Sequence, residues 1–446
     1  MYHTMKEMNG MLAKIKDNWL AIILTIVVVI SLILSVIVWV NPYRSDHRFF
    51  GDSGTSTGRQ VATQSMRDIY LPTQVIKTNG DQGQKLLYGQ AKNPVLTARQ
   101  SIERWRMHRL TRIESGRQNN YLNYLRLNNS VMLSYPSSVP MTIFNDSFNQ
   151  NLNYNNLSRV DHIVIPLNKS NRINRIYLLS DNNYRVFRVK VDNANIKAIK
   201  ESLRGGSSIS VDHKIYGGHP MVTYPHGVKL PNFGYQISKI NPDSVSQTLM
   251  NNSSKQSTVT SQQENNHIVY QSGTSKRLVY DPAKGALDYE NYIGRSDNFS
   301  YQQIFGHIYN QLASTSIPLD SLRYDSYNGK SESITYRSFV EGFPIFNDDG
   351  YGTVQIQNNH DGAERYHFST YSLQVPVPVN NKKTVLPSSA VVFNGLRSVN
   401  KLKEVTGIRI GYQWKTDQNT KTVTLTPTYY IRYRNSWENY KSLINN

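Results

Sequence analysis

The chain has 446 residues, no cysteine, and 50 Lys plus Arg against 31 Asp plus Glu, a formal net charge of +19. That length holds about two to four domains. With 38% hydrophobic residues and a negative mean hydropathy, the bulk of it is a soluble globular body rather than a polytopic membrane protein. The missing thiols take thiolate ligands out of any metal site and fit an oxidising exterior. The basic surplus favours acidic neighbours, among them nucleic acid, anionic lipid head groups and wall polyanions.

In chain order, the first element is Leu20 to Val40, with no charge between Asp17 and Arg44. At 1.5 Å per residue the run spans roughly 31 Å, close to the hydrocarbon thickness of a bilayer. It is too long for a signal-peptide core, and its end, Val38-Trp39-Val40-Asn41-Pro42, has no small-residue cleavage site. The expectation is an uncleaved transmembrane helix over 20–40, after a cytoplasmic tail over 1–19. Lys6, Lys14 and Lys16 before the run balance Arg44, Arg48 and Arg59 after it, so charge alone does not orient the helix. The absence of cysteine favours an extracytoplasmic body, for which nucleic acid is the least suitable partner. Within the run, Ser31 and Ser35 form a small-xxx-small pair with Thr25 nearby, a candidate helix–helix contact.

Residues 41–63 read as a flexible stalk, rich in Gly, Ser, Thr and Gln from Gly51 to Thr63. Asp68 to Ile76 reads as a strand with Pro72 at an edge or bulge. Asn93-Pro94 caps a helix expected to run to about Met107. That helix and its continuation carry Arg99, Arg104, Arg106 and Arg109, a candidate anionic-surface contact. Asn174 to Val191 reads as a hairpin turning at Asp181-Asn182-Asn183, and Asn193 to Leu203 as a helix ended by Gly205-Gly206. Asn241-Pro242 starts a helix ending near Met250, and the polar tract Asn251 to Asn266 reads as a long loop. Strands at His267 to Gln271 and Lys276 to Tyr280 precede a helix over Ser300 to Leu312, whose stripe is Ile304, Ile308 and Leu312. The last third is strand-rich: Ile334 to Val340, Thr353 to Gln357, Arg365 to Val377, Gly407 to Trp414 and Val423 to Arg434, with a helix near Ser388 to Val399. The order suits an α+β class with antiparallel sheets and packed helices. Domain boundaries are expected to separate 64–205, 206–325 and 326–446.

The motifs that imitate catalysis fail on context. Gly51-Asp52-Ser53-Gly54 and Gly54-Thr55-Ser56-Thr57-Gly58 resemble hydrolase nucleophile segments, but a stalk cannot hold a serine against a base. The GKS of Gly329-Lys330-Ser331 has Tyr324 where a phosphate loop needs glycine, and reads as a hairpin turn. His213, His219, His226, His360 and His367 lack metal-ligand spacing, and Asp348-Asp349 lacks the calcium-loop pattern. The expectation is therefore no enzyme, no cofactor and no metal.

Four stretches carry a resemblance. Ile334 to Asn347 (ITYRSFVEGFPIFN), the closing pair Thr406 to Trp414 and Thr426 to Arg434 with Trp437 after it, and Asp68 to Ile76 resemble the YycH family of Gram-positive bacteria. The resemblance implies a single-pass membrane protein with three extracytoplasmic α+β domains. It also implies an accessory role toward the sensor histidine kinase YycG (WalK) of a cell-wall-regulating two-component system, together with the sister protein YycI. It carries no catalytic residue. A binding module for anionic wall polymer or lipid head groups is the alternative that the charge supports.

Overall fold

A computed structural model describes residues 65–446 apart from 82, 155–156, 251–257, 295–297, 316–321, 347–352, 359–361, 380–382, 418–420 and 446; ahead of these it describes Leu24, Val27, Val28 and Ser31. The chain divides into two compact units, Met1–Arg48 and Phe49–Asn446. In the first unit those four residues are helical and exposed. Among the described residues no helix is long and apolar enough to cross a membrane. The rest of 20–40, including Thr25 and Ser35, lies outside the described residues, as do the 1–19 tail and the 41–63 stalk.

The second unit opens with α1 (Met66–Ile69), β1 (Gln74–Thr78), β2 (Gln84–Tyr88), α2 (Pro94–Ile102), β3 (Arg106–Glu114) and α3 (Gln118–Leu125). Then come β4 (Ser130–Pro140), α4 (Met141–Phe148), β5 (Arg159–Pro166), β6 (Arg172–Ser180), β7 (Arg185–Asn195), α5 (Lys197–Ser202), β8 (Ser207–Tyr216) and β9 (His219–Thr223). The nine strands form one sheet in the order β3-β7-β6-β5-β4-β1-β2-β8-β9. Gly205-Gly206, where a boundary was expected, runs directly into β8, which pairs with β2.

Two local expectations are corrected here. Residues 68–76 are not one strand: a helical turn, whose amides at Asp68 and Ile69 bond to the Ser65 carbonyl, precedes β1. Pro72, lacking an N–H, lies between them. The helix begun by Asn93, whose side chain accepts from Val95 and Leu96 N–H, stops at Ile102 rather than Met107. Beyond it Trp105 and Met107 are buried while Arg104 and Arg106 are exposed. That alternation has the period of a strand, and β3 pairs with β7. Arg104, Arg106 and Arg109 are thus not helical.

The C-terminal part adds β10 (Val228–Pro231), β11 (Phe233–Lys239), α6 (Pro242–Met250), β12 (Val259–Glu264), β13 (His267–Ser272), β14 (Lys276–Asp281), β15 (Ala286–Tyr292), α7 (Tyr301–Ser314), β16 (Leu322–Asn328) and β17 (Ser333–Val340). It ends with β18 (Phe343–Phe346), β19 (Thr353–Gln357), β20 (Ala363–Ser369), β21 (Tyr371–Val377), β22 (Lys383–Leu386), α8 (Ser389–Ser398), β23 (Val405–Asp417), β24 (Thr422–Tyr433), β25 (Ser436–Asn439) and α9 (Tyr440–Asn445). Fourteen of these strands make a second sheet. It is antiparallel except where β18 meets β23 in parallel, Ile345 beside Tyr412. The 325/326 boundary falls inside β16. Within the tract expected as a loop, Val259–Glu264 is the polar edge strand β12, in full register with β13. Arg365 to Val377 is two strands, broken at buried Thr370, whose N–H and hydroxyl both donate to the Gly285 carbonyl.

Two apolar clusters hold the unit together, one on each face of the nine-stranded sheet. Alternate residues divide between them: Val131, Leu133, Ile163 and Ile165 face one cluster with Phe305, Tyr324 and Tyr336. Met132, Val164 and Leu179 face the other with Tyr224, Phe343 and Ile408. The C-terminal part therefore packs on both faces of the first sheet, and neither part buries its core alone.

Gly411 in β23 is enclosed by the stacked rings of Phe346 and Tyr430, whose centroids lie 3.7 Å apart. A Cβ there would come within 2.8 Å of Phe346 and 2.9 Å of Tyr430. Gly411→Val is expected to destabilise by about 1–3 kcal/mol, read as a lower urea midpoint with unchanged slope.

Candidate functional site

A cleft of about 590 Å³ opens where β4, β5 and the β6–β7 turn face β23 and β25. Its polar floor is built by a break in the strand pairing. Ser134 pairs with His162 and Val139 with Val160, so Tyr135 to Ser138 on β4 form a four-residue excursion opposite the single residue Asp161. Asp161 fastens that excursion. Its carboxylate accepts from Ser138 Oγ at 2.7 Å and from the Asp181 N–H at 2.9 Å. The Ser138 carbonyl in turn accepts the hydroxyls of Tyr301 (3.0 Å) and Tyr324 (2.9 Å) from the C-terminal part.

His162 sits between Ser134 Oγ, 2.8 Å from Nδ1, and Asp181 Oδ1, 3.2 Å from Nε2. Tyr121 donates to the same Asp181 oxygen at 2.5 Å. Burial opposes the imidazolium, but Asp181 and then Asp161 outweigh it and raise the His162 pKa. Burial likewise opposes the Asp181 carboxylate, yet His162 and Tyr121 hold it below its ordinary value. Asp161, buried beside the Asp181 charge, is pushed up to about 6. His213 lies behind, its ring 6.3 Å from that of His162 and nearly perpendicular. Its Nδ1 is 2.8 Å from Gln84 Oε1, while Gln84 Nε2 donates to Thr78 and the Leu125 carbonyl. Burial and then His162 lower its pKa to about 3, so it is neutral.

A hydroxyl, an imidazole and a carboxylate in line invite comparison with a hydrolytic triad. The comparison fails chemically. A general base must be unprotonated to take the serine proton, and Asp181 and Asp161 raise the His162 pKa, which favours the imidazolium over the base. Ser134 is 3% exposed, in the middle of a strand paired on both sides. Among the described residues no three of His, Asp or Glu converge as a metal-ligand set.

The second cluster at this wall explains the sequence stretches that carried the resemblance. Asp325, with no exposed side-chain surface, receives Arg409 in a bidentate pair at 2.7 and 3.2 Å and Arg337 at 2.8 Å. The Arg409 guanidinium lies 3.9 Å from the Trp437 ring and 4.9 Å from Phe346, and Arg337 lies 4.2 Å from Phe346. Arg337 and Phe346 come from the first stretch, Arg409 from the second and Trp437 from beyond the third. They lock β16, β17, β18, β23 and β25 together.

The residues singled out from sequence do not gather into one site. Arg99 is tied into ion pairs with Asp68 and with Glu103, at 3.0 Å for the latter. Arg104 lies between α2 and β3, while Arg106 and Arg109 stand exposed on β3, Arg109 in a bulge with φ 52°. Ser31 is helical and exposed; Thr25, Ser35, His360 and Asp348-Asp349 lie outside the described residues. Of the remaining histidines, His213 alone enters the cluster, and His367 pairs with Asp288 at 2.6 Å. Asp161 and His162 were missed. The available signal was an Asp-His pair inside the apolar run Val160 to Ile165, where charge without a partner would be costly.

The fold and the site define a mixed helix-and-sheet protein whose buried polar groups fasten packed layers. The chain belongs to the YycH family: the YycH protein N-terminal domain matches residues 17–208 and the C-terminal domain residues 225–445. The two-component system WalR/WalK regulatory protein YycH of Bacillus subtilis (strain 168) is 22% identical over 275 residues, 58% of each chain. The chain thus spans little more than half the length of that curated relative. The crystal structure of YycH from Bacillus subtilis superposes with a TM-score of 0.67 at 17% identity, covering 85% of this chain and 98% of that one.

Proposed function

We propose that the chain is a membrane-anchored accessory regulator of a sensor histidine kinase, the YycG/WalK type, working with a YycI-type sister protein. The observation that carries the reading is a YycH-family match over nearly the whole chain, together with a relative, matched over 58% of each chain, that is named as a WalR/WalK regulatory protein. The uncharged run 20–40 supports a single span, with the three-part body on the extracytoplasmic side. A partner shifts a kinase only when it binds the active and inactive states with different free energy. A body packed on both faces of one sheet can hold a rigid surface against the sensor domain, while the helix face of Ser31 and Ser35, with Thr25 nearby, meets the kinase's membrane helices.

Crosslinking in intact membranes is expected to recover the kinase or the sister protein with the full chain. A chain lacking the residues before Asn41 is expected to lose most of that recovery. Ser31→Leu/Ser35→Leu should weaken it by about sevenfold, since interhelical hydrogen bonds of this kind contribute about 0.6 kcal/mol each. Undiminished recovery with the double variant would remove the serines from the contact, and recovery of neither protein with the full chain would overturn the proposal.

A further inference from the structure

On one face of the nine-stranded sheet the β3 edge changes character. Val186, Leu179 and Tyr177 belong to the core on this face, but beyond them β7 carries Arg188 and Lys190 and β6 carries Arg175. Lys190 lies directly opposite Arg175 on β6 and opposite His108 on β3. Arg188, two residues back on β7, lies opposite Tyr177 and Thr111. Arg106 adds a further charge on the edge strand. Arg106, Arg175 and Lys190 are exposed and Arg188 is half-buried. The carboxylate within this block is Asp192, opposite Arg106 and 3.5 Å from His108 Nδ1. Among the described residues no ion pair engages Arg106, Arg175, Arg188 or Lys190.

Like charges placed directly across a strand pair repel and cost stability. Here Arg175 and Lys190 stand directly opposite one another on β6 and β7, with Arg188 two residues along β7. We propose that this cross-strand ladder is a binding surface for a linear phosphate-bearing polymer. Side chains stand about 5 Å apart across strands and about 6.6 Å apart along β7, so successive phosphates of an extended phosphodiester chain can each meet a cation. Arg175 and Arg188 supply planar, multidentate donors suited to phosphate oxygens, and Lys190 a compact charge between strands. A lipid surface fits less well. Membrane-binding faces add large apolar side chains for insertion, and the exposed large hydrophobics among the described residues of the second unit (Tyr292, Ile293, Val375, Val385 and Val391) lie off this face. The proposal goes beyond the regulatory reading and stands independently of it.

The test uses the full-length protein in neutral detergent, titrated with long-chain inorganic polyphosphate over a series of salt concentrations. Binding is expected, with affinity falling steeply as salt rises. Arg175→Gln/Arg188→Gln/Lys190→Gln should weaken it by about tenfold or more and reduce the log–log salt slope by about 2, the signature of lost phosphate contacts. Lys229→Gln/Lys383→Gln/Lys415→Gln, which removes the same charge from exposed lysines elsewhere, should leave it nearly unchanged. Because the ladder is self-repelling, the first triple variant should unfold at the same Tm as the parent or a higher one. Equal weakening by both triples, absence of polyphosphate binding, or a fall in Tm of the ladder variant would overturn the proposal. Displacement of polyphosphate by phosphatidylglycerol in mixed micelles, at lower phosphate concentration than polyphosphate itself requires, would overturn the polymer assignment in favour of lipid.

Discussion

Asp325→Asn is expected to lower the stability of the fold by about 3–5 kcal/mol, because it strands two guanidiniums without a counter-charge in a buried setting. The side chains of Asp325 and Arg409 are 0% and 7% exposed, so water cannot replace the lost partner. Stacking on Trp437 and Phe346 cannot compensate either, since it offsets only part of the cost of desolvating a cation. A comparison variant separates the charge from the packing. Asp325→Leu/Arg337→Met/Arg409→Met removes all three charges and should recover much of the loss, as apolar replacement of a buried ion triad generally does. Urea midpoints of the three proteins are the measurement. An Asp325→Asn midpoint equal to that of the parent would mean that the triad carries no net stability. The sign of the pH dependence follows from the same contacts. Burial works against the Asp325 carboxylate, but Arg409 and then Arg337 hold its pKa below the ordinary value. Its stabilisation is therefore complete above about pH 4, the unfolded value, and disappears as the pH falls through the folded one.

The periodic parts of this fold were legible before its structure. The hairpin turning at Asp181, the helix with the Ile304–Ile308–Leu312 stripe, and the strands over 334–340 and 353–357 each rest on local pattern, and local pattern decided them. The failures share a cause. Arginines at 104, 106 and 109 extended an apparent helix, yet the unpaired edge of β7 and the burial of Trp105 and Met107 made that segment a strand. The polar run Val259 to Glu264 carries no apolar face and became an edge strand because β13 offered it a complete hydrogen-bonding partner. The cleft was least legible, since Asp161, Ser138, Asp181 and Tyr324 meet only through a strand excursion that no spacing announces. The stretches Ile334 to Asn347 and Thr406 to Trp414 were recognised as family marks without a reason. Their reason is Asp325, a residue in neither, on which Arg337 and Arg409 converge.

The cluster around Asp161 should make the cleft wall pH-dependent in the physiological range, in the opposite sense to an ordinary surface carboxylate. Burial and the neighbouring Asp181 charge move Asp161 from 3.8 to about 6. An acid whose folded pKa is raised favours the fold most below its unfolded value, and that contribution is lost as pH rises from about 4 to about 6. A shift of this size corresponds to about 3 kcal/mol. His162 adds to the same trend: its pKa is raised by Asp181 and Asp161 against burial, so its contribution is complete below about pH 6.5 and is lost above the folded value. Asp181, held low by His162 and Tyr121 against burial, opposes the trend only in acid, where its contribution is lost below about pH 4. Asp161→Asn/His162→Gln should thus be less stable than the parent near pH 5 and close this gap by at least about 1.4 kcal/mol near pH 8, the part of the Asp161 contribution lost over that range. A difference in urea midpoint that stays constant over that range would refute the assignment. Hydrogen exchange locates the effect. The Asp181 amide donates to Asp161 and the Ser138 carbonyl ties the same excursion to Tyr301 and Tyr324, so charge repulsion above pH 6 loosens the wall that joins the two sheets. Protection of the Asp181 amide, corrected for intrinsic exchange, should fall between pH 5 and 8 in the parent and remain level in the double variant.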